Sequence, residues 1–249
     1  MDSEYAINYR QLYDRHWWWR SRERFILNTL RRWHEQSDLS TQSREILDVG
    51  CGDALFFPKL KQFGNVSGVE PDTNLIDPGN PDCPAIYTGN IDETFEPGKK
   101  FDWVILLDVL EHIEQPAEVL LHICKHLNPG ARLLITVPAF NLLWTRHDEY
   151  NHHFTRYNKK TFARMANGSG ISIEKMKYFF HWMFPAKMLV RAKEAVLRGD
   201  PKPAEVPHSI INTCCFALSR IEQALITPLP IPFGSSLMIS ATVNHATEK

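Results

Sequence analysis

The amino-acid sequence predicts an α/β protein in which helices cover both faces of a doubly wound, mostly parallel sheet. Two observations favour this fold class: short apolar runs alternate with amphipathic stretches from residue 44 onward, and turn residues separate them. Hydrophobic residues make up 43% of the 249 residues, which is typical of a globular chain with a large core. We expect a single domain over residues 1–249.

The N-terminal region is predicted to be helical. Ile26, Leu30 and Trp33 recur at spacings of four and three residues, which places them on one face of an amphipathic helix over 21–34. Three consecutive tryptophans begin at Trp17, just before that helix, and arginines flank them. We expect one or two of these rings to cap the core and the arginines to be solvated. A stacking surface or a membrane-interface patch is the alternative.

The alternation of strands and helices follows this region. The predicted strands are short apolar runs at 45–49, 66–70, 86–88, 102–107, 131–137, 171–180 and 236–243. The predicted helices of the core cover 54–63, 116–127 and 159–167. Strands that alternate with helices at this spacing form a parallel sheet that is covered on both faces.

A long segment, residues 181–235, separates the last two predicted strands, where a hairpin would need only roughly two to five residues. It contains two amphipathic helical patterns joined by a proline-rich linker, so we interpret it as a helical cap inserted before the last strand. Its apolar side chains either line a pocket or form the cap's own core. The expected organisation is an N-terminal helical region over 1–43, a core over 44–180 and 236–244, and a cap over 181–235.

The charge balance excludes one broad class of function. Lys and Arg number 28 and Asp and Glu number 29, which gives a formal net charge of −1. Non-specific nucleic-acid binding depends on an excess of positive charge, so no nucleic-acid partner is expected. The 5 cysteines have no regular spacing, and no apolar segment of signal-peptide type is present at the N-terminus, so we expect a cytoplasmic protein.

The strongest local signal is the run Asp48-Val49-Gly50-Cys51-Gly52 at the end of the first predicted strand. Glycines at such a turn let backbone N–H groups approach a ligand near a helix N-terminus. Glu70 ends the second strand, 20 residues after Gly50, where an acidic side chain can bond both hydroxyls of a ribose. The third glycine of a dinucleotide motif is absent, and Asp53 would repel a pyrophosphate. A nucleoside cofactor without phosphates therefore fits better than NAD.

Four segments, ILDVGCGDA, GVEPD, FDWVILLDVLEHI and LNPGARLLITVPA, resemble in order and spacing the class I S-adenosylmethionine-dependent methyltransferases. The likeness covers residues 44–140 and is closest to small-molecule enzymes such as the ubiquinone-biosynthesis O-methyltransferases. The segment HDEYNHHFTRY resembles a pattern in the same subgroup. Ala54 and Asn90 depart from the family, which commonly has a third glycine and a Gly-Asp pair there. The resemblance implies a Rossmann-like fold with an antiparallel final strand, and S-adenosylmethionine as cofactor.

The resemblance also implies roles for the matching residues. It assigns cofactor binding to Asp48, Gly50, Cys51, Gly52, Glu70, Pro71, Ile91, Asp92, Leu107 and Asp108. In this assignment the glycine turn lies at the methionine end, and Asp108 lies near the amino group. Glu70 holds the ribose, while Pro71, Ile91 and Asp92 surround the adenine.

A second group of candidates belongs to the acceptor side. His112 either lies beside the transferred methyl group or fixes its own loop by hydrogen bonds. His153 is a candidate base, because an imidazole with a pKa near ~6.5 can take a proton from a hydroxyl, and a structural role is the alternative. Asp148, Arg156 and Tyr157 are assigned to the substrate, with Arg156 binding an anionic group and Tyr157 lining the pocket.

The cluster of His147, Asp148, His152 and His153 contains metal-ligand types, but we interpret it as a polar loop over the cofactor and expect no metal. The favoured function is in-line methyl transfer from S-adenosylmethionine to oxygen of a small-molecule or lipid-like acceptor. The alternatives are an NAD-dependent oxidoreductase and a catalytically silent nucleoside-binding protein. An amphipathic cap can also contact a membrane surface.

Overall fold

The backbone is organised around one seven-stranded sheet, seen in a computed structural model that describes residues 3–36, 43–197 and 204–243. Its strands are β1 (Arg44–Val49), β2 (Gly64–Glu70), β3 (Ile86–Thr88), β4 (Phe101–Leu107), β5 (Leu127–Pro138), β6 (Ile171–Phe179) and β7 (Ser236–Val243). The helices are α1 (Ser3–Arg15), α2 (Trp17–Gln36), α3 (Phe57–Leu60), α4 (Pro116–Lys125), α5 (Arg146–Tyr150), α6 (Lys159–Ala166), α7 (Met183–Val196) and α8 (Ser209–Leu225).

The strand order is β3-β2-β1-β4-β5-β7-β6. Strands β1 to β5 pair in parallel, and β7 is antiparallel to both of its neighbours, β5 and β6. The predicted mostly parallel sheet with an antiparallel final strand is therefore confirmed. Strand order reverses between β1 and β4, so the carboxyl ends of these two strands border the crevice in which sheets of this type bind ligands.

Alternate residues of β4 supply the cores on the two faces of the sheet. Val104 and Leu106 pack into one apolar cluster, and Trp103 and Ile105 pack into the other. This division follows from the pleat, which points successive side chains of a strand to opposite faces. Helices α4 and α6 cover the first cluster and α2 covers the second, so both faces are buried as the sequence predicts.

Helix α2 begins at Trp17, four residues before the predicted start, and includes all three tryptophans. Ile26, Leu30 and Trp33 are buried as expected, and Trp17 packs edge-on against the ring of Phe180. The expectation of solvated arginines is wrong for Arg22. Its side chain is buried because its guanidinium pairs with a carboxylate at the end of β4.

The helix predicted over 54–63 is shortened to α3, and a series of turns precedes it. Pro58 lies in the first turn of α3, where its missing N–H is tolerated. Ala54 adopts a φ of 56°, in the left-handed region, which interrupts a helix before it can form. These turns hold the segment after the glycine run close to the sheet edge.

Helices α7 and α8 connect β6 to β7, and polar bonds join Trp182, the residue before α7, to α8. The backbone N–H of Trp182 donates to Glu222 (2.9 Å), and its indole donates to Ser219 (3.1 Å). Gln223 donates to the carbonyl of Ser21 in α2 (2.7 Å), which ties α8 to the N-terminal helices. No helix within the described residues combines the length and apolar character needed to cross a bilayer.

The strained alanine gives a test of the turn after β1. Ala54 and Ala166 are almost equally buried, at 2% and 4% exposure, but only Ala54 has a left-handed φ. Both glycine variants lose a buried methyl group, and Ala54→Gly also relieves a backbone penalty of about 1–2 kcal/mol. We therefore expect Ala54→Gly to be less destabilising than Ala166→Gly by about that amount in urea unfolding. Equal losses would contradict the left-handed turn.

Candidate cofactor and acceptor site

A tight glycine turn closes the carboxyl end of β1. Gly50 has a φ of 68° and Gly52 a φ of 53°, and the N–H of Gly50 donates to the carbonyl of Val69 (2.8 Å). A Cβ atom on Gly50 would lie 2.8 Å from a methyl group of Val109, in the loop after β4. Position 50 therefore requires glycine for both its dihedral angle and its close approach to that loop.

Glu70 lies against this turn, as its motif predicts. One carboxylate oxygen accepts the N–H of Gly52 (2.8 Å) and the other accepts the N–H of Asp72 (2.9 Å). Burial raises the pKa of Glu70, although both backbone bonds oppose the shift. Each oxygen keeps acceptor capacity beyond its one bond, so the carboxylate can also receive hydroxyl groups.

A cavity lies between the glycine turn and the N-terminal helices. From the sheet side it is lined by Asp48, Gly50, Cys51 and Leu107, and from α1 and α2 by Tyr9, Tyr13, Trp19 and Arg22. Asp48 is buried, and no described residue forms a hydrogen bond with its carboxylate. Burial raises the pKa of Asp48 to about 7, against the opposing effect of Arg22. The wall of this cavity thus holds a carboxylate to which no side chain or backbone group of the described residues donates.

Arg22 crosses from α2 to the end of β4 and forms an ion pair with Asp108. Asp108 also accepts a bond from the hydroxyl of Thr136 (3.3 Å), and the guanidinium of Arg22 lies 4.8 Å from the ring centre of Trp18. Burial disfavours the charge of Arg22, but Asp108 and Tyr9 outweigh it and raise its pKa. Arg22 was not predictable as a site residue, because the N-terminal region has no cofactor motif. The arginines beside the tryptophans were the one signal in the sequence.

The residues assigned to the adenine lie outside the lining of this cavity, beyond the ends of β2 and β3. Pro71 is exposed, whereas Ile91 is buried in the core cluster that also holds the end of β1. Asp92 accepts bonds from the backbone and the hydroxyl of Thr94 (2.8 and 2.6 Å). All three residues lie at the same carboxyl edge of the sheet as Glu70. This edge runs from the cavity past Glu70 to the three residues.

Helix α1 is held over the glycine turn by a charge contact. Arg10 donates through Nε to Asp53 (2.7 Å) and through Nη2 to Asp77 (2.9 Å). Arg10 also compensates part of the negative charge of Asp53, which weakens the electrostatic argument against a pyrophosphate at this turn. The absence of the third glycine is unaffected by this contact.

On the acceptor side, Asp148 is fully buried and joins the other loop residues. Its Oδ1 atom contacts His153 Nδ1 (2.8 Å) and Arg156 Nε (2.7 Å), and its Oδ2 atom accepts the N–H of Thr145 (2.9 Å). Burial alone would raise the pKa of Asp148, but the bonds from His153 and Arg156 hold it well below the usual range. Asp148 is therefore the anchor of this loop.

This geometry does not favour direct substrate contact by the three residues assigned to it. Asp148, Arg156 and Tyr157 are all buried. Arg156 also donates to the carbonyl of Ala139 (3.2 Å), and the Tyr157 hydroxyl donates to the carbonyl of Leu110 (3.3 Å). The guanidinium is thus enclosed within the protein, and these side chains fix the loop that carries His153.

His112 and His153 come together although 41 residues separate them in the sequence. Their rings are nearly perpendicular, with centroids 4.6 Å apart. Glu111 is buried beside them, and its pKa is raised well above the usual value by burial and by Asp108. Partial desolvation of its ring and the neighbouring His153 lower the pKa of His112. His147 and His152 are not part of this cluster, whereas Asp148 remains bonded to His153.

Lys187 from α7 is a further charged residue near the site, and no sequence motif marks it. Burial lowers its pKa to about 8, and repulsion from Arg156 adds to the shift, while Asp148 and Asp108 act in the opposite direction. No described residue forms a hydrogen bond or an ion pair with it. Its only signal in the sequence is a lysine within an apolar helical segment. The cap thus brings toward the charges of the site an ammonium group that has no partner among the residues that the structure describes.

The Asp148 anchor can be tested by its effect on stability. We expect Asp148→Asn to lower the free energy of unfolding at pH 7 by about 3 kcal/mol, because a buried guanidinium loses its counter-ion. The pKa of Asp148 is lower in the folded protein than in the unfolded chain. The stabilisation that Asp148 provides is therefore present above about pH 4, and it is lost as the pH falls toward the pKa of the folded state.

Urea unfolding at pH 7 and in acid measures both effects. Glu149→Gln changes the exposed neighbouring carboxylate and should stay within about 0.5 kcal/mol of the unmodified protein. A loss for Asp148→Asn no larger than that of this control would contradict the anchoring role.

Comparison with known proteins agrees with the fold. A family model described as a methyltransferase domain matches residues 18–175. The ubiquinone biosynthesis O-methyltransferase of Rickettsia bellii (strain OSU 85-389) is 30% identical in a 152-residue alignment that covers 53% of this chain and 63% of that protein. The alignment therefore spans less than two thirds of this relative's length.

Solved structures share the architecture at low identity. An S-adenosylmethionine-dependent methyltransferase from Archaeoglobus fulgidus matches 88% of this chain and 94% of its own, with a TM-score of 0.52 and 17% identity. Phosphoethanolamine N-methyltransferase 2 of Haemonchus contortus, in complex with S-adenosyl-L-methionine, matches 87% of this chain and 52% of its own, with a TM-score of 0.53 and 18% identity. These two similarities show the fold alone. With the family match over more than half of its length, the chain belongs to the class I S-adenosylmethionine-dependent methyltransferases, whose cofactor is S-adenosylmethionine.

Proposed function

We propose that this protein transfers a methyl group from S-adenosylmethionine to an oxygen atom of a small-molecule acceptor. The observation that carries the proposal is the set of charges beside the glycine turn. Asp48 supplies a carboxylate at the carboxyl end of β1, and Asp108 supplies a second one at the end of β4. Arg22 supplies a guanidinium from the facing helix α2. The methionine end of the cofactor carries one ammonium and one carboxylate, so this set is complementary to it.

The residues around the cavity have distinct tasks in this proposal. Arg22 binds the cofactor carboxylate, while Asp48, which lacks a hydrogen-bond donor, receives the ammonium together with Asp108. Glu70 receives the ribose hydroxyls with the acceptor capacity that its backbone bonds leave free. When bound, S-adenosylmethionine supplies an electrophilic methyl group on a sulfonium centre. Helices α1 and α2 exclude water from that end of the site.

The acceptor is placed between the loop of His153 and helix α7. His153 is oriented by Asp148 through Nδ1, which leaves Nε2 to interact with an acceptor hydroxyl. Lys187 brings an ammonium group to the same region, where it would stabilise a developing oxyanion. Asp148 and Arg156 are positioning residues because they act through His153 and the loop. The names of the curated relatives support oxygen as the acceptor atom.

The cap supports a lipid-like acceptor that is reached from a membrane surface. Leu189 and Val196 of α7 are 73% and 81% exposed, and Ile210 and Leu225 of α8 are 67% and 68% exposed. Apolar side chains of this size in contact with water are unfavourable unless a lipid or a partner covers them. Basic residues accompany them on α7, which is the combination that amphipathic membrane-surface helices present.

Cofactor binding is tested by isothermal titration with S-adenosylhomocysteine. We expect Glu70→Ala to raise the dissociation constant by about tenfold or more, since hydrogen bonds to a carboxylate are lost. Gly50→Arg should abolish binding, because any Cβ at this position meets Val109. Glu174→Gln, an exposed change on β6, should bind normally. Unchanged affinity in both site variants would refute the site, and binding of NAD alone would favour the oxidoreductase alternative.

Membrane contact is tested by sedimentation with anionic phospholipid vesicles. We expect the double variant Val196→Glu, Leu225→Glu to reduce the bound fraction several-fold, because each carboxylate must leave water to enter the interface. Leu121→Glu on α4 is the matched control, since Leu121 is also an exposed leucine but lies outside the cap. Equal binding by the cap variant and the control would contradict a lipid-facing cap.

A further inference from the structure

A second cavity, distinct from the cofactor cavity, lies between α2, α3 and α8. It is an open groove of about 480 Å³, a volume within the range of roughly 300–1,000 Å³ that small-molecule sites occupy. Of the described residues, Glu23 alone lines both cavities. We call this cavity the basic groove, because four cationic side chains line it: Arg20, Arg24, Arg31 and Lys59.

The cations of the basic groove have no counter-ions among the described residues. Arg20, Arg24 and Arg31 lie on one face of α2, at spacings of four and seven residues. No ion pair in the part of the chain that the structure describes includes these arginines or Lys59. Like charges one turn apart on a helix repel each other, so a bound anion would stabilise this arrangement.

The acidic residue at the edge of the basic groove is directed to the other cavity. The Oε2 atom of Glu23 accepts the hydroxyl of Tyr13 (2.7 Å), which lines the cofactor cavity. Four cations against this one carboxylate give the lining of the groove a formal charge of +3, on a chain whose formal net charge is −1. A cleft lined by one sign of charge concentrates the electric field and attracts ions of the opposite sign.

Apolar side chains form the floor of the basic groove and position one of its arginines. Leu27 is buried, and the half-buried ring of Phe216 packs against the core cluster that α2 covers. The guanidinium of Arg20 lies over this ring, 4.3 Å from its centre. A guanidinium that stacks on an aromatic ring keeps the N–H groups at its edge free to donate, so Arg20 is oriented before an anion binds.

We propose that the basic groove binds a multiply charged phosphate group, as found in a diphosphate or a phosphate monoester. The planar fork of an arginine matches two phosphate oxygens, and a lysine adds a point charge. A single carboxylate would leave most of the charge of the groove uncompensated. A soluble organic phosphate and the headgroup of a lipid phosphate offer the same chemistry. The groove uses none of the residues assigned to methyl transfer, so this proposal is independent of the proposed function.

Isothermal titration of the full chain with inorganic pyrophosphate at low salt tests the basic groove. We expect Arg24→Ala and Lys59→Ala each to raise the dissociation constant about tenfold or more, because a charged hydrogen bond to the phosphate is lost. Arg32→Ala is the matched control, since Arg32 is an exposed arginine of the same helix outside the groove, and its affinity should stay within about twofold. No binding to the unmodified protein, or equal affinities in all three variants, would overturn the proposal.

Vesicle sedimentation identifies the source of the phosphate. Phosphatidylcholine vesicles with and without phosphatidic acid are compared. Binding that requires phosphatidic acid and falls in Arg24→Ala supports the groove as a site for a lipid phosphate. Vesicle binding that Arg24→Ala leaves unchanged, together with weakened pyrophosphate binding, supports a soluble ligand in the same groove. The urea midpoint of Arg24→Ala should match that of the unmodified protein, because Arg24 is exposed, and this measurement separates a lost site from a lost fold.

Discussion

The ion pair between Arg22 and Asp108 connects the N-terminal helices to the carboxyl edge of the sheet, and the cofactor cavity exists because of it. Neither charge is well solvated, so each depends on the other to offset the loss of water. The pair holds α2 across the ends of β1 and β4, and the contact of Arg10 with Asp53 holds α1 over the glycine turn. Together these helices turn an open crevice into an enclosed site with both signs of charge.

A second buried charge organises the acceptor side. Asp148 binds Arg156, His153 and the backbone of Thr145, and the loop that contains them closes over Glu111 and His112. The two regions meet in the loop after β4, which carries Asp108 toward the cofactor and Glu111 toward the acceptor. A single short segment therefore links the carboxylate beside the cofactor cavity to the residues beside the two acceptor-side histidines.

Several elements of the fold were predictable from local patterns. Most strands of the sheet have nearly the predicted bounds because each is a short apolar run that ends in turn residues. Strand β5 is the exception: it begins at Leu127, four residues before its predicted start, because Phe101 of β4 pairs with Leu127 across an irregular register. The helix over 54–63 was not predictable, since the left-handed Ala54 and the turns around it depend on packing against the sheet edge. The burial of Arg22 was missed for a related reason, because its partner lies 86 residues away in the sequence.

The sequence by itself determined the fold class, the family and the position of the cofactor turn, because these depend on residue spacing within one segment: glycines after a strand, and an acid at the end of the next strand. Only the tertiary structure decided which charges face one another. It placed Arg22 beside Asp108, enclosed Arg156 instead of presenting it to a substrate, and brought Glu111 and His112 to His153. Such contacts depend on how distant loops pack around the sheet edge, and no local pattern records that arrangement.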